Sequence, residues 1–249
     1  MMRRSAAVSV TSALRFLIVL WLVLLSASIV QDIAGWASGS DFKVWRFDVD
    51  FEGSLYTWYS GTLLILVALA ALVLATREFA ARSPWRYHWL GIALLFALLS
   101  MDETLSLHEQ LSAALSAREK VDGWLHFRWV VPVGLATLAF AVAYLRFLVH
   151  LPGRIAALMV AAGATFVLGA IGMELIAGKL VSESAASLHG IGYRLLVNIE
   201  EALEVAGAIL FLYTLVRYGR QTGLDRVDMD LHASGVGLAR SRFTGTPAE

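Results

Sequence analysis

Three short stretches hold carboxylates and imidazole where an apolar chain rarely keeps them. They are Asp102-Glu103-Thr104-Leu105-Ser106-Leu107-His108-Glu109, Gly172-Met173-Glu174 and Asn198-Ile199-Glu200-Glu201-Ala202-Leu203-Glu204. Each lies in or at the end of a strongly apolar run, where ionisable groups are costly and by default mark function. Oxygen ligands joined by one or two imidazoles suit Mn, Fe or Zn. The expected chemistry is therefore a divalent-metal site, with Asp102, Glu103, His108, Glu109, Glu174, Glu201 and Glu204 as ligands. Arg128, Arg194 and Glu200 are the expected substrate or countercharge residues, and no residue is given a catalytic role. His126 and His189, in neighbouring loops, offer further imidazole.

Spacing adds detail. On a continuous helix, Asp102 and Glu109 share a face, with Glu103 and His108 about 100° to either side. Glu200, Glu201 and Glu204 cover one arc of roughly 100°. Three carboxylates on one arc cannot all ionise in a low dielectric unless protons, a metal or nearby arginines compensate them. Helical bundles that hold di-iron or di-manganese centres use inward-facing Glu with Glu-x-x-His pairs. This chain departs from that pattern: Glu103 and His108 are five apart, and Glu201-x-x-Glu204 lacks the histidine. The alternative is an interfacial helix end at 102–109, solvated and paired with Arg118 or Arg128, with Glu174 a snorkelling interfacial acid. Asp48, Asp50 and Glu52 read as the start of a helix, whose N-terminus favours carboxylates. His88 and His150 read as part of an aromatic belt, and Gly169, Gly172 and Gly178 as packing positions.

The elements that must carry these residues are membrane helices. The chain has 249 residues, 58% hydrophobic and 16% charged, with a mean hydropathy of +0.68. A soluble domain usually holds about 45–50% apolar and about 25% charged residues. The expected fold is all-α, a polytopic helical membrane bundle of about six spans near 12–31, 55–76, 86–112, 128–149, 154–177 and 191–216. Continuous rather than alternating apolar runs argue against a β-barrel. The first run is longer than a signal-peptide core and is expected to stay as a span. Trp85, Arg86, Tyr87 and Trp89, Arg128 and Trp129, and Arg217 and Tyr218 mark span ends.

With both termini inside, 13 of the 20 Lys and Arg fall inside and 7 outside, which supports an N-in, C-in topology. Fifteen of the 20 acids then lie outside or in the outer half of the spans. Counted along each helix, Asp102 and Glu103 lie about 24–25 Å above Arg86, Glu200 to Glu204 about 20–25 Å above Arg217, and Glu174 about 30 Å above Arg154. The acids of three helices are thus expected at one depth near the outer surface. Residues 1–219 form one domain, and 220–249 are expected to be a disordered cytoplasmic tail.

Several classes drop out. A net charge of zero argues against nucleic acid as a partner. The absence of cysteine removes disulfides, thiolate metal sites and a cysteine nucleophile. Six scattered histidines do not form the His-rich boxes of membrane desaturases. His88 and His108 are about 30 Å apart along a helix, too far to ligate two hemes in one bilayer. No Gly-x-Ser-x-Gly, His-Glu-x-x-His or phosphate loop occurs.

Phe47-Asp48-Val49-Asp50-Phe51-Glu52-Gly53 with Trp58-Tyr59-Ser60, Asp102-Glu103 with His108-Glu109, and Glu200-Glu201 with Glu204 make residues 45–216 resemble a family of uncharacterised bacterial multipass membrane proteins. The resemblance implies the span layout and carries no activity. The expected function is that of a bacterial inner (plasma) membrane protein with an outward-facing metal pocket acting on a lipid-like, membrane-partitioned substrate. Two rivals stand beside it. One is a cation- or proton-coupled transporter, or an accessory subunit of one, although the inner half of each span shows no polar path. The other is a membrane scaffold. The glycine-rich spans permit a homo-oligomer.

Overall fold

The computed structural model describes residues 10–40, 43–116, 123–184, 188 and 190–224. Arg118, His189 and most of the tail from 220 onward lie outside the described residues. The described elements are all helical: α1 (Val10–Ser38), α2 (Leu55–Ala80), α3 (Arg86–Leu105), α4 (Leu107–Ser116), α5 (Val130–His150), α6 (Gly153–Val167), α7 (Glu174–Glu183) and α8 (Ile191–Gln221). Short 3₁₀ turns at Trp45–Phe47 and Gly123–Leu125 sit in the connections, and a π-helical segment, Leu168–Met173, joins α6 to α7.

Five helices are long and apolar enough to cross a membrane by length and composition: α1, α2, α3, α5 and the continuous run Gly153–Glu183. The sixth expected span, α8, is not among these five. It packs against α1, α2, α6 and the π segment. A helix enclosed by protein needs no unbroken apolar surface, so its sequence tolerates glutamates. Its buried positions run from Val197 to Gly219.

Two expected helices are interrupted. The expected span 86–112 stops at Leu105, because Ser106 takes left-handed backbone angles (φ 51°, ψ 45°) and α4 starts anew at Leu107. Asp102 and Glu109 therefore do not share a helix face. The expected span 154–177 continues to Glu183, with the π turn inside it. Such a turn inserts an extra residue into the i→i−4 ladder and rotates everything beyond it. The start of α2 also differs from expectation. Ser54 is its cap, with Oγ accepting from the N–H groups of Tyr56 and Thr57 at 3.1 Å each, so Asp48, Asp50 and Glu52 are released for other work.

Polar ties set the register of the bundle. Tyr56 is fully buried; its hydroxyl donates to the Glu201 carbonyl at 2.9 Å and accepts from the Trp21 indole at 3.2 Å, joining α1, α2 and α8. Ser100 of α3 donates to the Gly61 carbonyl of α2 at 2.8 Å. At the end away from the acids, His150 stacks on Trp85 at 4.8 Å and His88 on Phe147 at 5.3 Å, an aromatic cluster joining α3 to α5.

Two glycines let α8 close on its neighbours. A Cβ on Gly169 would lie 2.8 Å from the Glu200 carbonyl and 2.9 Å from Glu204 Cγ. One on Gly207 would lie 2.7 Å from the Phe166 nitrogen and 2.9 Å from the Ala162 carbonyl. Backbone cannot step aside as a flexible side chain can. Gly207→Ala is expected to destabilise the protein by about 1–3 kcal/mol, the usual range for overpacking. Gly134→Ala, with no atom within 4 Å of the new methyl, is expected to leave stability unchanged or slightly raised. Thermal unfolding in detergent checks both.

Candidate functional site

The site begins at the break between α3 and α4. A new helix start leaves backbone N–H groups without partners. Asp102, in the last turn of α3, supplies an acceptor: its Oδ1 takes the His108 N–H at 2.8 Å, and its Oδ2 lies 3.1 Å from His108 Nδ1. A carboxylate only accepts, so Nδ1 carries the hydrogen, and in the neutral form of the ring Nε2 is the nitrogen left for a ligand. The Trp129 ring packs against the imidazole at 5.2 Å, and its indole N–H donates to Glu174 Oε1 at 3.0 Å. Trp129 thus fixes two acid-end side chains from the start of α5.

These groups open into a cavity of about 360 Å³. Its carboxylates are Asp50 and Glu52 from the loop before α2, Glu103 from α3, Glu109 from α4, Glu174 from α7, and Glu200 and Glu201 from α8. His108 and His126 add imidazole, and Phe127, Trp129 and Tyr193 add aromatic wall. Among the described residues no lysine or arginine lines it. Glu52, His108 and Glu109 can each present a ligand atom within 4.8 Å of the others. This is a compact oxygen–nitrogen donor set of the kind that holds a divalent cation.

The expected site residues divide clearly. Glu103, His108, Glu109, Glu174, Glu200 and Glu201 come together around the cavity. Asp102 stands behind His108 rather than on the lining. Glu204 packs against Gly169 and is not on the lining. Arg194 and Arg128 are also not on the lining: Arg194 pairs with Asp32 at 3.6 Å, and the Arg128 backbone N–H donates to Ser112 Oγ, beside the cavity, at 3.2 Å. Sequence reasoning missed Asp50 and Glu52, which it assigned to a helix start, and Trp129, which it assigned to the belt. The acid-rich loop was visible, but the Ser54 cap that frees it carries the same signal as many other serines. Also missed was a buried ion network of Asp32, Lys43, Asp48 and Asn198 beneath that loop.

Residues 13–218 match the family model described as a domain of unknown function (DUF8692). The chain belongs to this family. The match runs from the start of α1 nearly to the end of α8, so it takes in every cavity residue. No curated protein and no solved structure matches the chain.

Burial, reinforced by Glu109, holds the Glu52 carboxyl above its ordinary 4.5. Burial alone favours the neutral His108 ring, but the hydrogen bond to Asp102 and the charges of Asp102, Glu174 and Glu109 outweigh it and raise His108 above its ordinary 6.5. Both groups bind their proton more tightly folded than unfolded. Their contribution to stability is complete below the ordinary values and is lost as pH rises through the raised ones. The metal-free protein is therefore expected to melt at lower temperature as pH is raised above 6.5, with a shallower fall in His108→Gln. A melting temperature that climbs over this interval contradicts the assignment.

Proposed function

We propose that this chain is a multipass protein of a bacterial inner membrane, with six spans and both termini inside, that holds a divalent metal in an outward-facing pocket. Glu52, His108 and Glu109 are its ligands, and the metal is Fe, Mn or Zn. The observation that carries this reading is the convergence of these three donors at a cavity lined by seven carboxylates and, among the described residues, no lysine or arginine. Asp102 holds the ligating imidazole in one tautomer and orientation, as carboxylates behind metal-bound histidines commonly do. Counting α8 as the sixth span places its glutamates at the depth of Glu103 and Glu174.

When bound, such a metal supplies Lewis acidity and lowers the pKa of a coordinated water. The residues of the chain do the rest. Trp129 keeps Glu174 turned toward the cavity, and Glu103, Glu200 and Glu201 form an acidic floor able to take up or pass on protons. Exposed aromatics at the same end, Trp36, Trp45, Trp58 and Trp124, suit the headgroup layer. A pocket at that level favours a membrane-partitioned, lipid-like substrate, and the reading is a metal-dependent membrane enzyme.

The test is elemental analysis of protein purified in mild detergent, with and without metal loading. About one equivalent of Fe, Mn or Zn is expected. Glu52→Gln/Glu109→Gln is expected to lose it while keeping its helical circular dichroism. No metal under any loading condition overturns the reading. In that case, proton flux in liposomes that is lost in Glu201→Gln moves the assignment to a transporter.

A further inference from the structure

The loop that brings Glu52 to the cavity is tied down from the opposite side. Asp32 of α1 is 1% exposed and sits at the centre of the ties. Lys43 Nζ lies 3.1 Å from Asp32 Oδ1, and Asn198 of α8 donates to Asp32 Oδ2 at 2.8 Å. Lys43 also reaches Asp48 Oδ2 at 2.6 Å, and Asp48 Oδ1 accepts the Asp50 N–H at 3.3 Å. Two more ties come from the same face of α1: Gln31 Oε1 accepts the Val44 N–H at 3.1 Å, and Ser28 Oγ accepts the Val49 N–H at 3.4 Å. Among the described residues the polar ties of 43–49 run to α1 or stay within the loop, and none runs to α4. Yet Glu52, four residues beyond Asp48, faces His108 and Glu109 of α4.

We propose that Lys43, clamped between Asp32 and Asp48, is a positioning residue that sets where Glu52 stands against His108 and Glu109. The inference rests on the metal reading of the pocket. A buried carboxylate left without its cation is strongly destabilised, so Asp32 fixes Lys43, and Lys43 fixes the loop through Asp48. The network also balances its own charge: Lys43 and Arg194 match Asp32 and Asp48. Neither cation is left to neutralise the cavity. Asn198 links the same node to α8, whose Glu200 and Glu201 follow within one turn.

The experiment is a thermodynamic cycle read by Mn²⁺ titration with electron paramagnetic resonance. Lys43→Met is expected to weaken Mn²⁺ binding by about 10–100-fold, the usual cost of losing a support behind a ligand, and Lys43→Arg to stay within a few-fold of wild type. In a Glu52→Gln background, Lys43→Met is expected to cost no more than about twofold, because the ligand it positions is already gone. An equal loss in both backgrounds, or no loss in either, overturns the proposal.

A second measurement needs no metal. The chain has no cysteine, so spin labels at Arg46→Cys and Ala114→Cys report the distance from the loop to α4. The distribution is expected to be narrow in wild type and Lys43→Arg, and broad in Lys43→Met. Unchanged widths overturn the proposal even if wild type binds no Mn²⁺, a result that sinks the metal reading by itself. Should Lys43→Met fail to fold, Asp48→Asn loosens the same clamp without stranding Asp32 and is expected to broaden the distances likewise.

Discussion

Carboxylates cannot be gathered inside a helical bundle without positive charge to hold them there. Seven acids line one cavity in this protein, and no lysine or arginine shares it among the described residues. Lys43 and Arg194 are paired with Asp32 and Asp48 instead. Beyond what the His108 imidazole carries, protons or a metal cation can supply the compensating charge. On the proposed reading, a bound metal meets that need, and the need bears on how the surrounding helices are built.

Three local departures from regular helix aim the side chains. Ser106 breaks α3 from α4 and swings His108 back onto Asp102. The π segment before α7 rotates Glu174 toward Trp129. Gly169 lets α8 approach until Glu200 and Glu204 touch the α6–α7 run. Each costs some local stability, and each stands beside a cavity residue rather than elsewhere in the bundle. Regular packing handles the other end, where Trp85, His88, Phe147 and His150 stack into an aromatic plug.

Much of this was legible in the sequence, and the rest was hidden for identifiable reasons. Long apolar runs gave the helices, and Glu103, Glu174, Glu200 and Glu201 stood out because few apolar segments carry such groups. The depth count expected them at one level without any knowledge of packing, and all four line one cavity. Facing was a different matter. It assumed an unbroken helix through Glu109, and a single serine in left-handed conformation invalidates that assumption with no strong sequence signature. Asp32 and Lys43 are eleven residues apart across a loop, so their pairing depends on tertiary structure. The same is true of Asp32 and Asn198, which are 166 residues apart. Glu52 was hidden for the opposite reason: acids are so common at helix N-termini that a helix start was the simpler reading.

A metal held by Glu52, His108 and Glu109 is the proposed source of the missing positive charge. An anomalous difference map from crystals soaked in Mn²⁺ addresses it most directly. The account predicts a peak among these three side chains that disappears in Glu52→Gln/Glu109→Gln crystals. A map with ordered carboxylates and no peak there, or with its strongest peak outside the cavity, contradicts it.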